Sequence, residues 1–200
     1  MLFNFKSMIK KIFAGFLISF CSLMILVCSS SGQTADLVSE KNQTPFGNLD
    51  KTPYFGNVVY SKQPDEQTIP MLKEQDIKLV LSVRYDDEPV GFDARKIIEE
   101  NGMSFVQISY LKGSINDEVR YVDDEAVTQI KQVIENSAAA GSKILVHCQS
   151  GQRAAAALGS ILYRDYGFSK EEARKYAEKA GLTSKNTGAV YDKYIEGLEK

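Results

Sequence analysis

The stretch KILVHCQSGQRAAAALGSILY, residues 143–163, decides how this chain reads. Its opening residues are a short apolar run ending at His147 and Cys148, the pattern of a buried strand. A polar turn, QSGQ, follows, in which Gly151 supplies backbone freedom. The alanine-rich run from Arg153 then has strong helix propensity and stops at Gly167. Strand, tight loop and helix start therefore fall within a few residues. A helix start leaves backbone N–H groups without partners and carries partial positive charge, so the loop in front of it forms an anion cradle. Arg153 at the helix entrance adds a planar fork suited to two oxygens of a phosphate. Cys148 is placed at the floor of that cradle.

The field that attracts an anion also stabilises a thiolate. A cysteine at a strand end is by itself an ordinary core residue; here His147, Cys148, Gly151 and Arg153 fall within seven positions, directly before a helix. That combination points to covalent catalysis on a phosphate ester, by attack on phosphorus, a phosphocysteine intermediate and hydrolysis. His147 is read as orienting the loop by hydrogen bonds. The leaving oxygen needs a general acid, and the acid-rich segment YLKGSINDEVRYVDDE (110–125) offers one. Asp117 is the first choice. Glu118, Asp123 and Asp124 are its rivals, although Asp123 and Asp124 suit a helix N-cap better.

Upstream, short apolar runs at 57–60, 76–83 and 104–109 read as further strands, and 65–75, 92–102 and 123–141 as helices between them. Pro70 has to fall in the first turns of its helix or bend it. Downstream, Ser169 and Glu172 form a capping box for a helix stopping at Gly181, and a last helix covers 188–200. Strands alternating with helices predict an α/β domain with a mainly parallel sheet of four to five strands, flanked by helices.

The chain's 200 residues suit one such domain with appendages. Lys6, Lys10 and Lys11 precede sixteen uncharged, mostly apolar residues (12–27), short of the ~20 a membrane-spanning helix needs. Residues 1–28 therefore read as an export signal. The sequence ILVCSSS around Cys28 resembles the lipobox of bacterial lipoproteins, which implies lipidation of Cys28 and attachment to a membrane; cleavage nearby, giving a free periplasmic protein, is the alternative. Residues 29–56, polar and without apolar period, read as a flexible tether, and 57–200 as the domain. The first 27 residues hold three of the 24 basic residues and none of the 26 acidic ones, so the remainder carries 21 against 26. That acidic balance argues against nucleic acid as a partner. With one histidine and one cysteine in the domain, no zinc cluster is expected. There is also no GxGxxG or Walker-type loop, so no cofactor is expected.

The loop HCQSGQR resembles the HCxxGxxR signature of the protein tyrosine and dual-specificity phosphatase superfamily at His147, Cys148 and Gly151. The arginine comes one residue early, and Ala154 stands where the signature has it. This C-x4-R spacing is similar to the loops of the bacterial beta-lactamase hydrolase-like phosphatases, and the similarity extends through VVYSKQPDEQTIPMLKEQDIKLVLSVRYDDE (58–88). The resemblance implies a tyrosine phosphatase-like fold, with Cys148 as nucleophile, Asp117 as acid, and Arg153 as phosphate ligand. It also implies that His147, Gln149, Ser150, Gly151 and Gln152 form the phosphate-binding loop. Substrates are then a phosphorylated protein or a small phosphorylated molecule. The superfamily often has Ser or Thr after the arginine to help the thiolate leave; Ala154 cannot, so Ser150 or Gln152 would have to substitute. Arg84 either faces this site or makes a surface salt bridge with Asp86, Asp87 or Glu88. Two other readings stay open. Rhodanese-like sulfurtransferases share C-x4-R, although the GHIPGA segment is lacking, and a non-catalytic phosphate-binding pseudophosphatase would explain Ala154.

Overall fold

A computed structural model describes residues 40–41 and 44–198; residues 1–28, read from the sequence as an export signal, and Cys28 with them lie outside the described residues. The strands are β1 (Glu40–Lys41), β2 (Tyr54–Phe55), β3 (Val58–Ser61), β4 (Ile77–Ser82), β5 (Ser104–Gln107) and β6 (Lys143–His147). The helices are α1 (Ile69–Glu74), α2 (Ala94–Glu100), α3 (Asp124–Ala139), α4 (Gln152–Tyr166), α5 (Lys170–Lys179) and α6 (Lys185–Leu198). The strands form one sheet in the order β1-β2-β3-β6-β4-β5. The four strands anticipated from the apolar runs make its parallel part, and β2 and β1 extend it antiparallel at the β3 edge.

The continuous apolar runs are explained by a sheet covered on both faces. Side chains alternate across it. Ile144 and Val146 of β6 join a core with α3, α4, α5 and α6, whereas Leu145 joins the opposite core with α1 and α2. Helix α4 is buried along most of its length, from Arg153 to Leu162. Its Gly159 permits close packing, because a Cβ there would stand 2.9 Å from the Cβ of Ala177 and from Cε2 of Tyr191.

Helix termini follow the residues that suit them. Asp123 caps α3 by accepting from the Glu125 N–H at 3.2 Å. Ser169 and Glu172 form the reciprocal capping box of α5. Pro70 sits in the first turn of α1, where no backbone N–H is missed. The folded region begins before the residue 57 set by composition. Phe46, Leu49 and Phe55 are buried, and β2 pairs with β3. The polar residues between these anchors hid them, since β2 is only two residues long and presents no period.

The register places the site. Ser61 at the end of β3 and Ser82 at the end of β4 both pair with His147 at the end of β6. Loops leaving three adjacent parallel strands therefore converge at the carboxyl ends of the strands, where open α/β sheets gather ligand-binding groups.

Candidate active site

Cys148 follows β6 directly and is fully buried, a free thiol at the bottom of the loop. Gly151 is the N-cap of α4 and has φ +86°, a left-handed conformation that residues with a Cβ rarely adopt. A Cβ there would also come within 3.3 Å of the Ser61 carbonyl carbon, a tight contact that adds to the preference for glycine. The first backbone bond of α4 runs from the Ala155 N–H to the Gly151 carbonyl at 3.0 Å. The preceding N–H groups have no partner within the helix and are the donors of an anion cradle. Neighbouring loops hold the cradle in shape. The Gln63 N–H donates to the Gln149 carbonyl at 3.2 Å, and the Val83 N–H to the His147 carbonyl at 2.8 Å.

The Arg153 guanidinium, at the start of α4, is oriented by Glu88. Nη1 and Nη2 of Arg153 meet the two oxygens of Glu88 at 2.7 and 2.8 Å, a fork-on-fork pair with side chains only 11% and 3% exposed. Tyr85 lies under the guanidinium, with its ring centroid 5.3 Å from the carbon. Burial alone would lower the pKa of Arg153, but Glu88 and a hydrogen bond and charge interaction with Cys148 raise it above the ordinary value. For Glu88, burial pushes upward, while Arg153 and then Arg84 outweigh it and hold the carboxylate below its ordinary range.

Arg84 is the second guanidinium of this cluster. It is 3% exposed, lies 3.4 Å from Glu88, and donates to the Gln63 side chain at 3.0 Å and to the Pro89 carbonyl at 2.6 Å. The surface salt bridge considered for it is thus a buried one, because the loop after β4 folds back over the carboxyl ends of the strands. Desolvation lowers its pKa; Glu88 opposes that, and the charge on Arg153 adds to it. Two cations around one carboxylate leave this end of the sheet positive.

His147 contributes less through its ring than the sequence implied. Nδ1 makes one long contact, 3.5 Å, to the Cys148 carbonyl, and buried Nε2 has no hydrogen-bond partner among the described residues. Burial drives its pKa down to about 4, so the ring is neutral across the physiological range. Gln152 is likewise committed elsewhere. Its side-chain oxygen accepts from the N–H groups of Thr183 and Ser184, both at 2.8 Å, and its Nε2 donates to the Thr183 hydroxyl at 3.1 Å. Ala154 is fully buried. Of the hydroxyl and amide side chains considered for assisting thiolate departure, this leaves exposed Ser150.

Asp117 and Glu118 are both exposed on the loop between β5 and α3. Asp117 closes a local turn, accepting from the Ser114 N–H at 2.8 Å. That turn is fastened to the loop after β4, since Asp87 accepts from the Ser114 hydroxyl and from the Ile115 N–H at 3.2 Å. The charges of Asp117 and Arg120 both act on Tyr85, the residue under Arg153. Asp123 caps α3, and Asp124 bonds Arg164 at 2.9 Å and the Tyr194 hydroxyl at 2.5 Å, bonds that lower its pKa. A carboxylate held ionised that way is a poor proton donor.

Glu88, Tyr85, Asp87 and Gln63 were missed as site residues. The available signal was RYDDEP (84–89), a charged run placed immediately after a buried strand. Among the described residues no group of three or more His, Cys, Asp and Glu is arranged to hold a metal ion.

No family model matches the sequence, and no curated protein does. Solved structures do match. Tk-PTP in its active form shares 22% identity over 70% of this chain and 91% of that one, with a TM-score of 0.54. TpbA of P. aeruginosa in complex with phosphotyrosine shares 18% over 79% and 88%, with a TM-score of 0.57. PTPMT1 in complex with PI(5)P shares 16% over 70% and 91%, with a TM-score of 0.55. The domain has the protein tyrosine phosphatase-like fold.

Proposed function

We propose that this chain is a cysteine-dependent phosphatase that hydrolyses phosphate monoesters. The observation that carries the reading is Arg153: a buried guanidinium at the start of α4, held on both oxygens by Glu88 and interacting with Cys148. A cation so placed beside a nucleophile and a helix N-terminus fits an incoming phosphoryl group. Cys148 Sγ bonds to phosphorus as the ester P–O bond breaks, and Asp117 gives its proton to the leaving oxygen. Water then attacks phosphorus, the S–P bond breaks, and the proton lost by water returns to Asp117. Arg153 and the loop amides carry the charge on the phosphoryl oxygens through both steps.

The finer reading is a tyrosine or dual-specificity type with the shortened C-x4-R loop of the beta-lactamase hydrolase-like group. Phosphotyrosine and PI(5)P, held by two of the similar structures, give the range of carriers to try. In this proposal residues 1–28 act as an export signal, with lipidation of Cys28 or cleavage nearby, and the enzyme works outside the inner membrane. The test is hydrolysis of p-nitrophenyl phosphate beside cyanide-dependent consumption of thiosulfate, both under reducing conditions. Turnover of the phosphate ester, abolished in Cys148→Ser with phosphate binding retained, is the expected outcome. Thiosulfate turnover in its place establishes the sulfurtransferase, and phosphate binding without any turnover establishes a pure binder.

A further inference from the structure

Beside the phosphate loop lies a pocket of about 460 Å³ that this chemistry leaves without a task. Residues 150–152 of the loop are one wall; segment 50–53, the end of β3, and the turn from α5 to α6 are the others. Lys51, Lys62 and Lys179 line it, and among the described lining residues only Asp50 is acidic. Asp50 bonds Lys62 at 2.9 Å, but the two side chains are 71% and 39% exposed, so water screens the pair and Lys62 exchanges readily to another anion. Lys179, also in the lining, has its ammonium 5.6 Å from the Tyr176 ring centroid. Thr52, another lining residue, has a buried hydroxyl with no hydrogen-bond partner among the described residues. A buried polar atom of that kind is satisfied by a ligand oxygen or by water.

We propose that this pocket is a second anion subsite. The substrate is then a small phosphate ester whose carrier bears a further negatively charged oxygen group, a phosphate or a carboxylate. The scissile phosphoryl group sits on the amides of the loop, and the second group reaches past 150–152 toward the three lysines. The inference rests on the phosphatase reading of Cys148 and Arg153. The shared wall is what couples the sites, because one molecule can touch both faces of it, and linking two contacts in one ligand raises affinity over either alone.

Binding to the Cys148→Ser protein, followed by calorimetry, tests it without turnover. The ligands are alkanediol bisphosphates of increasing chain length, ω-carboxyalkyl phosphates, and the matching alkyl monophosphates. One chain length is expected to bind about tenfold or more tightly than its monophosphate, and the carboxylate series shows which second group is preferred. Replacing Lys51, Lys62 and Lys179 together by Gln is expected to erase that advantage while monophosphate affinity moves by less than about twofold. Should the triple change unfold the domain, Lys51→Gln alone, at an exposed position, reads the same advantage. Monophosphate binding with no preference for any bisphosphate, or an equal loss for both ligand types in the lysine variants, overturns the subsite and leaves the phosphatase reading standing. Failure of every phosphate to bind overturns both.

Discussion

The two halves of the proposed chemistry are built in opposite ways. The half that grips phosphate is part of the core: Cys148 is fully buried, Arg153 and Arg84 share a buried carboxylate, and Gly151 holds a left-handed backbone packed closely against Ser61. The half that would deliver the proton is on the surface. Asp117 and its neighbours from 116 to 121 are exposed, Val119 at 68% and Tyr121 at 51%, and the loop is tied down mainly through Asp87. Binding geometry is thereby coupled to global stability, and proton delivery is left free to vary with little cost to the fold.

Ranked by cost to the fold, the sharpest way to break this contrast is Arg153→Ala. It removes the bidentate partner of buried Glu88, leaving only the longer 3.4 Å pairing with Arg84, and should destabilise the domain by about 3–5 kcal/mol. It should also reduce kcat/KM by roughly 10²–10³; urea unfolding and p-nitrophenyl phosphate kinetics report the two losses. Glu88→Gln keeps the shape and removes the charge shared by Arg153 and Arg84. An uncompensated pair of buried cations should cost about 3 kcal/mol, visible as a lower urea midpoint at neutral pH.

His147 provides a pH test of the same side. Its folded pKa, about 4, lies below the ordinary histidine value of 6.5, so the unfolded chain takes up the proton first. Its contribution to stability is complete above the unfolded value and is lost as pH falls toward the folded one. Between about pH 7.5 and about pH 5 the loss should be about 2 kcal/mol, and His147→Asn should flatten that part of the urea-stability profile. The smallest structural effect belongs to Asp117→Asn, which should leave stability within about 0.5 kcal/mol. It should still lower kcat for alkyl phosphates by about 10². The loss should be much smaller for p-nitrophenyl phosphate, whose leaving group needs little protonation. A large drop in stability for Asp117→Asn, or none for Glu88→Gln, contradicts the contrast.

The same division explains what the sequence made legible. Cys148, Gly151 and Arg153 were readable because strand, turn and helix start are local events, each with its own residue signature. The four parallel strands and their helices were readable for the same reason. Glu88 was not, because its partner Arg153 is 65 residues away and the pairing follows only from β4 lying beside β6. Gln152 was read as part of the phosphate loop, while its side chain serves Thr183 and Ser184 some thirty residues on. Segment 44–56 was assigned to the tether because its buried residues, Phe46, Leu49 and Phe55, are scattered among polar ones.

That Gln152 tie has a practical side. The residue that opens α4 is bolted by its side-chain amide to the two residues just ahead of α6, so trimming or unfastening α6 should slacken the cradle from behind, without touching any group that meets phosphate. Shortened versions of the domain that stop before Thr183 are therefore expected to fail as enzymes even where they stay folded, and tags or fusions at that end should be chosen with this anchor in mind.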